Sequence, residues 1–211
     1  SQKYNTCSIK EKYHLLHLTL DGAEAVSEKF TDSAAAEQAA AMCKGATVTC
    51  TSVTKEQKKE QPPKFYDLTT LQREANRLFG YTAKQTLDYA QSLYEKKLLT
   101  YPRTDSRYLT SDMAETASCV IHLAAKLPPF DGCGNFFPLV VAMISDKDVS
   151  DHHAIIPTME IEKADIKALP LGERNLFLLV CCKLLCASAE PYVYEAVTAI
   201  STAVAIPSLQ R

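Results

Sequence analysis

The hydrophobic pattern changes period along the 211 residues. Residues 8–20 alternate loosely and end in His14-Leu15-Leu16-His17-Leu18-Thr19-Leu20, which predicts a strand. Asp21-Gly22 marks a turn. An alanine-rich helix follows, capped by Asp32 or Ser33, running to about Met42 and stopped at Lys44-Gly45. The β-branched stretch 46–54 predicts a second strand. Residues 55–64 are polar and charged and close on Pro62-Pro63, so they read as a linker and a domain boundary.

Beyond that boundary the period becomes helical. Thr69 or Thr70 caps a helix to about Phe79, which Gly80 stops. Thr82 caps a second helix to about Lys97, with Leu87, Ala90, Leu93 and Tyr94 on one face. The two helices, joined by Phe79-Gly80-Tyr81-Thr82, look like a helix-turn-helix, and residues 98–101 read as extended chain. Ser111 caps a helix from about Asp112 to Ala125, ended by Pro128-Pro129. Residues 130–138 read as loop, 139–145 as a short apolar run and 146–151 as polar loop. Leu171-Gly172-Glu173 opens a last helix to about Ala189, and 191–200 alternates as a strand. The expected fold class is α+β: a helical, winged-helix-type (helix-turn-helix) domain over 62–189, inserted between β-rich segments 1–61 and 190–211.

Composition changes this picture little. With 46% hydrophobic and 23% charged residues the chain reads as globular. No run of 18 apolar residues occurs and no signal-like start, so no membrane partner and a cytoplasmic location are expected. Eight cysteines include no Cys-x-x-Cys pair, which speaks against a zinc site. Cys181, Cys182 and Cys186 fall in an apolar helical pattern and read as buried free thiols.

Charge changes it more. The formal net charge of −2 argues against a polyanionic partner. Yet residues 55–107 hold eleven Lys/Arg against seven Asp/Glu, and 108–190 hold six against eleven. Local fields steer polyanions, so the basic half carries the argument.

That half contains Leu99-Thr100-Tyr101-Pro102-Arg103-Thr104-Asp105-Ser106. A phenol can attack a phosphodiester and leave again, and a guanidinium beside it can hold the phosphate bidentately. A free phenol loses its proton only near pH ~10, so an adjacent cation helps the attack. Pro102 fixes its own φ and biases Thr100-Tyr101 toward extended chain, which sets Tyr101 and Arg103 in a defined relation. Without such context Tyr101 is one of ten tyrosines, most of which pack, and Arg103 is a solvated arginine. Thr104, Asp105 and Ser106 suit a turn or a cap as well as a site.

Tyr101-Pro102-Arg103-Thr104-Asp105-Ser106 resembles the active-site motif of type IA DNA topoisomerases, in the form used by the topoisomerase III branch. Residues 68–76, Leu-Thr-Thr-Leu-Gln-Arg-Glu-Ala-Asn, and 86–95, Thr-Leu-Asp-Tyr-Ala-Gln-Ser-Leu-Tyr-Glu, resemble that family's approach to the site. Asp151-His152-His153-Ala154-Ile155-Ile156-Pro157-Thr158 is similar to its histidine motif. The resemblance implies Tyr101 as nucleophile, forming a 5′-phosphotyrosyl link, with Arg103 stabilising charge and His152 on the scissile phosphate. It implies single-stranded DNA as partner, touched by Gln91, Tyr94, Thr100, Thr104, Asp105 and Ser106. His152 and His153 point to opposite sides on extended chain, so at most one of them faces a ligand.

The same resemblance implies a winged-helix tyrosine domain inserted in a β-rich gate domain. Mg2+ is expected in the full-length enzyme, held by a Toprim domain outside these residues and not by this segment. The chain then reads as a monomeric central fragment, inactive alone in relaxing supercoiled DNA. A non-catalytic winged-helix DNA-binding module is the alternative; it requires a basic recognition helix, and Lys84-Gln85 and Lys96-Lys97 are only weakly of that type. A tyrosine recombinase requires a His-x-x-Arg pairing, which does not occur here.

Overall fold

Residues 12–20, 22–133 and 138–204 are described by the computed structural model. It divides into two units, Ser1–Gln57 with Glu195–Arg211, and Lys58–Tyr194. In the first unit β1 (His17–Leu20) pairs antiparallel with β2 (Ala23–Val26), His17 opposite Val26 and Leu20 opposite Ala23. Gly22, at φ +79°, makes the tight turn between them. The strand expected over 8–20 is therefore shorter, with His14 making only an isolated bridge to Phe30. Residues 8–11 and Asp21 lie outside the described residues. Sequence reading did not find β2, because four residues of Ala-Glu-Ala-Val carry almost no period.

Helix α1 (Ser33–Cys43) starts at Asp32, whose carboxylate accepts from the Ala34 amide at 3.1 Å. Strand β3 (Thr47–Glu60) then pairs with β4 (Tyr192–Val204). This corrects the linker expected over 55–64: its first six residues continue the strand. The stretch is exposed along its length, so no apolar face betrays it in the sequence. Thr51 bonds to the Ile200 carbonyl, Thr54 to that of Thr198, and Lys55 pairs with Glu195 at 2.9 Å, the descending order of an antiparallel ribbon.

The second unit is mainly helical. Helix α2 (Leu68–Phe79) is capped by Asp67, not by Thr69 or Thr70. Asp67 accepts from the Thr70 amide at 2.6 Å, and the Thr70 hydroxyl accepts from the Asp67 amide at 3.2 Å. Thr70 is thus the third residue of a capping box, a role that reads in sequence much like a cap. Gly80, at φ +71°, closes α2 as expected. Helix α3 (Ala83–Glu95) is capped by Thr82 with Gln85 completing a second box.

Two residues later Lys97 sits at φ +60°. The Leu98 amide bonds to the Leu93 carbonyl and the Lys97 amide to that of Tyr94, both at 2.8 Å. This is a Schellman ending with lysine where glycine is usual. It turns the chain out of α3 into 98–101.

Helix α4 (Ala114–Ala125) follows a 3-10 turn over Ser111–Met113, and Ser111 does not cap it. Its amide instead donates to Asp146 at 2.7 Å. Residues 140–143 and 146–148 form further 3-10 turns. Residues 134–137 of the expected 130–138 loop lie outside the described residues.

Helix α5 (Leu171–Ala187) runs through the core, with Leu176, Phe177, Val180, Cys181 and Leu184 buried. It packs on α3 through Gly172, where a Cβ would lie 2.5 Å from the Tyr89 ring. Lys96, Ser92 and Glu173 form a polar tie between the two helices, with Ser92 donating to Glu173 at 2.9 Å. Of the three thiols expected to be buried, only Cys181 is. Burial pushes its ionisation up. Cys182 and Cys186, four apart, share an outer face of α5.

Candidate active site

Two segments build the site, 97–109 and 152–158, and the backbone knits them together. The Thr100 amide donates to the Ile156 carbonyl at 3.0 Å, and the Thr158 amide to that of Leu98 at 3.1 Å. The Thr100 hydroxyl donates to the Ala154 carbonyl and accepts from the Ile156 amide, both at 3.0 Å. The Thr104 hydroxyl donates to the His152 carbonyl at 2.8 Å, and that of Ser106 to the Asp148 carbonyl at 2.9 Å. Thr104 and Ser106 are buried, at 8% and 4% exposure. These three hydroxyls satisfy backbone groups that an irregular segment would otherwise leave orphaned. They fix where Tyr101 and His152 stand.

Tyr101 is half-buried, and Pro102 behind it is buried. The Tyr101 ring lies 4.4 Å from the His152 ring, centroid to centroid, and 5.4 Å from Tyr94 in an edge arrangement. Tyr94 is 40% exposed, so it belongs to an accessible aromatic row and not to the core. Gln91 stands apart from the row. Its side-chain amide donates to Glu95 at 3.1 Å, one turn along α3.

Two recesses flank the row. The first, about 710 Å³, is largely apolar and lined by Tyr94, Leu99, Tyr101, Met113, His153 and Met159. The second, about 450 Å³, is lined by Asp67, Thr69, Arg103, Asp105, Asp151 and His152. Adjacent histidines thus open to different recesses, with His152 in a bend and not on a regular strand. His153 is held by its Nδ1 contact with the Ala154 carbonyl at 2.9 Å. His152 touches Tyr101 while bordering the recess that holds Arg103, and so joins the two.

The second recess sets three carboxylates beside one guanidinium. Asp67 is occupied in capping α2; Asp105 and Asp151 are exposed. No group of three or more His, Cys, Asp or Glu among the described residues is placed to hold a metal ion. Sequence reading missed Asp67 and Met159 as neighbours of the site; Asp151 and His153 it held within the histidine motif, with His153 weighed against His152. Asp151 and His153 flank His152 in the motif; Asp67 and Met159 arrive only through the fold.

A family model described as DNA topoisomerase matches residues 2–206, and the chain belongs to that family, among its type IA enzymes. It is 38% identical over 187 residues to DNA topoisomerase 3 of Shouchella clausii, covering 84% of this chain and 25% of that protein. It is 41% identical over 162 residues to DNA topoisomerase 3 of Bacillus anthracis, covering 71% and 21%. The chain therefore spans about a quarter of the length of the curated relatives it matches. Its fold is similar to that of full-length topoisomerase I from Thermotoga maritima, with a TM-score of 0.65 at 23% identity over 90% of this chain and 32% of the other. The fold is mixed helix and sheet, and no described helix is long and apolar enough to cross a membrane.

Proposed function

We propose that this chain is the tyrosine-bearing segment of a type IA DNA topoisomerase that cleaves and religates one DNA strand through a 5′-phosphotyrosyl intermediate. The observation that carries the reading is Tyr101, half-buried, with its ring 4.4 Å from that of His152, which in turn borders the recess that holds Arg103. The Tyr101 hydroxyl attacks phosphorus, its proton departs, and the 3′-oxygen leaves as a hydroxyl. Religation reverses the exchange, so no bond energy is lost and no nucleotide is consumed. Arg103 binds and neutralises the phosphate, and a ring N–H of His152 donates to it.

Single-stranded DNA is the substrate. Tyr94 offers a stacking face beside Tyr101. Thr100, Thr104 and Ser106 act by holding the two segments in register, Asp105 lies at the recess mouth, and Gln91 extends the contact along α3. Residues 62–189 form the winged-helix domain, with α2 and α3 as its helix pair and 98–101 as the extended chain after it. Residues 1–61 and 190–211 are segments of the gate domain. Mg2+ enters through a Toprim domain of the full-length enzyme.

The test is the polarity of the covalent adduct, in a full-length enzyme carrying this segment. Oligonucleotides labelled on either side of the break are trapped with denaturant. Label should stay on protein only from the downstream fragment, through its 5′ phosphate. Attachment through a 3′ phosphate would rule the mechanism out.

A further inference from the structure

A third recess, about 450 Å³, opens on a different face of α2, lined by Tyr66, Arg73, Glu74, Arg77, Arg107 and Lys183. Residues 73, 74 and 77 share that helix face. Four cations here surround one carboxylate, the reverse of the balance around Arg103. Lys183 and Arg77 pair with Glu74 at 3.0 and 3.4 Å. The Lys183 ammonium also lies 4.7 Å over the Tyr66 ring, which holds it in place. Arg107 donates from Nε to the Phe65 carbonyl at 3.1 Å, and this fixes its guanidinium. Its terminal nitrogens meet no carboxylate among the described residues, and Arg73 makes no ion pair there either. A concave site with a surplus of three positive charges, two of them uncompensated, suits an oxyanion.

The neighbouring recess identifies which oxyanion. Residues 67–69 and Arg103 line the recess bordered by His152, whose ring lies against Tyr101, while Tyr66, Thr70 and Arg107 line this one. The same two short segments serve both, so a strand at Arg103 reaches the third recess within a few nucleotides. We infer that the Arg73–Arg107–Lys183 recess binds a backbone phosphate of the strand that Tyr101 attacks, and so sets its register. This rests on the DNA-cleaving reading above.

Binding of the purified chain to a fluorescent fifteen-nucleotide thymidine oligomer, read by anisotropy across a salt series, tests it. Arg73 is exposed and unpaired, so Arg73→Glu should keep the melting temperature. It should weaken binding about tenfold at low salt and lower the slope of log K against log salt by about 0.7 for the lost phosphate contact. Lys126→Glu, the same charge change at the end of α4, should stay within about twofold of wild type.

Wild-type binding that Arg73→Glu leaves unchanged would overturn the recess alone, and an equal loss in both variants would reduce it to net charge. A wild-type chain without salt-sensitive binding would overturn the underlying reading as well. Inorganic phosphate, titrated by NMR, should perturb the recess and be displaced by the oligomer. Phosphate that the oligomer fails to displace would assign the recess to the free anion and overturn the DNA assignment.

Discussion

His152 and His153 reach different surroundings, one beside Arg103 and the other in the apolar recess. Only His152 meets Tyr101. His152→Phe keeps a ring against the tyrosine and removes the proton donor. Adduct formation in the full-length enzyme should fall about 10–100-fold while oligonucleotide binding holds within about twofold. Adduct formation unchanged in His152→Phe would mean that the imidazole only packs. Glu74 is a second residue with a readable role. Burial alone would raise its carboxyl, but the Tyr66 hydroxyl close by, Lys183 and Arg77 outweigh burial and hold it below the usual carboxylate range. A depressed folded value contributes stability above the unfolded value and loses it as pH falls. Glu74→Gln should therefore cost about 1–2 kcal/mol at neutral pH, since it strands Lys183. That gap should narrow as pH falls below the ordinary carboxylate range and close only once the folded Glu74, held below that range, is protonated too. A gap independent of pH in chemical denaturation would contradict the ion-pair account. Tyr101, Arg103 and His152 stand out in sequence as candidates because motif spacing carries chemistry directly. Asp67 and the cations beside Arg107 were not, since tertiary packing alone brings them near.

Among the elements, α2 and α3 could be read almost to the residue. Their capping boxes and Gly80 are local signals, and the one slip, Thr69 or Thr70 for Asp67, stays within a single box. The extension of β3 was invisible for the opposite reason: a ribbon exposed on both sides needs no apolar period. The end of α3 was misjudged by two residues because its left-handed position holds Lys97 and not glycine. Lys97→Gly should relieve that strain and raise stability by about 0.5–1 kcal/mol, measured by denaturant midpoint. A loss of stability would mean that the lysine side chain contributes more than its backbone costs. Gly172 has ordinary backbone angles and is constrained by space, 2.5 Å from the Tyr89 ring to a would-be Cβ. Gly172→Ala should cost about 1–3 kcal/mol by forcing α5 from α3. An unchanged melting temperature would show that the ring yields freely.

For the whole molecule, a net charge of −2 conceals a basic half and an acidic half. The proposed site and the third recess both draw on the basic half. In the proposed mechanism Tyr101, and no other of the ten tyrosines, forms the bond to DNA. The most direct measurement is to trap the adduct in a full-length enzyme carrying this segment, digest the protein, and locate the nucleotide-bearing peptide by mass spectrometry. One modified peptide is expected, with the phosphate on Tyr101, and none in Tyr101→Phe. A nucleotide on any other residue, or an adduct that survives in Tyr101→Phe, would contradict that mechanism.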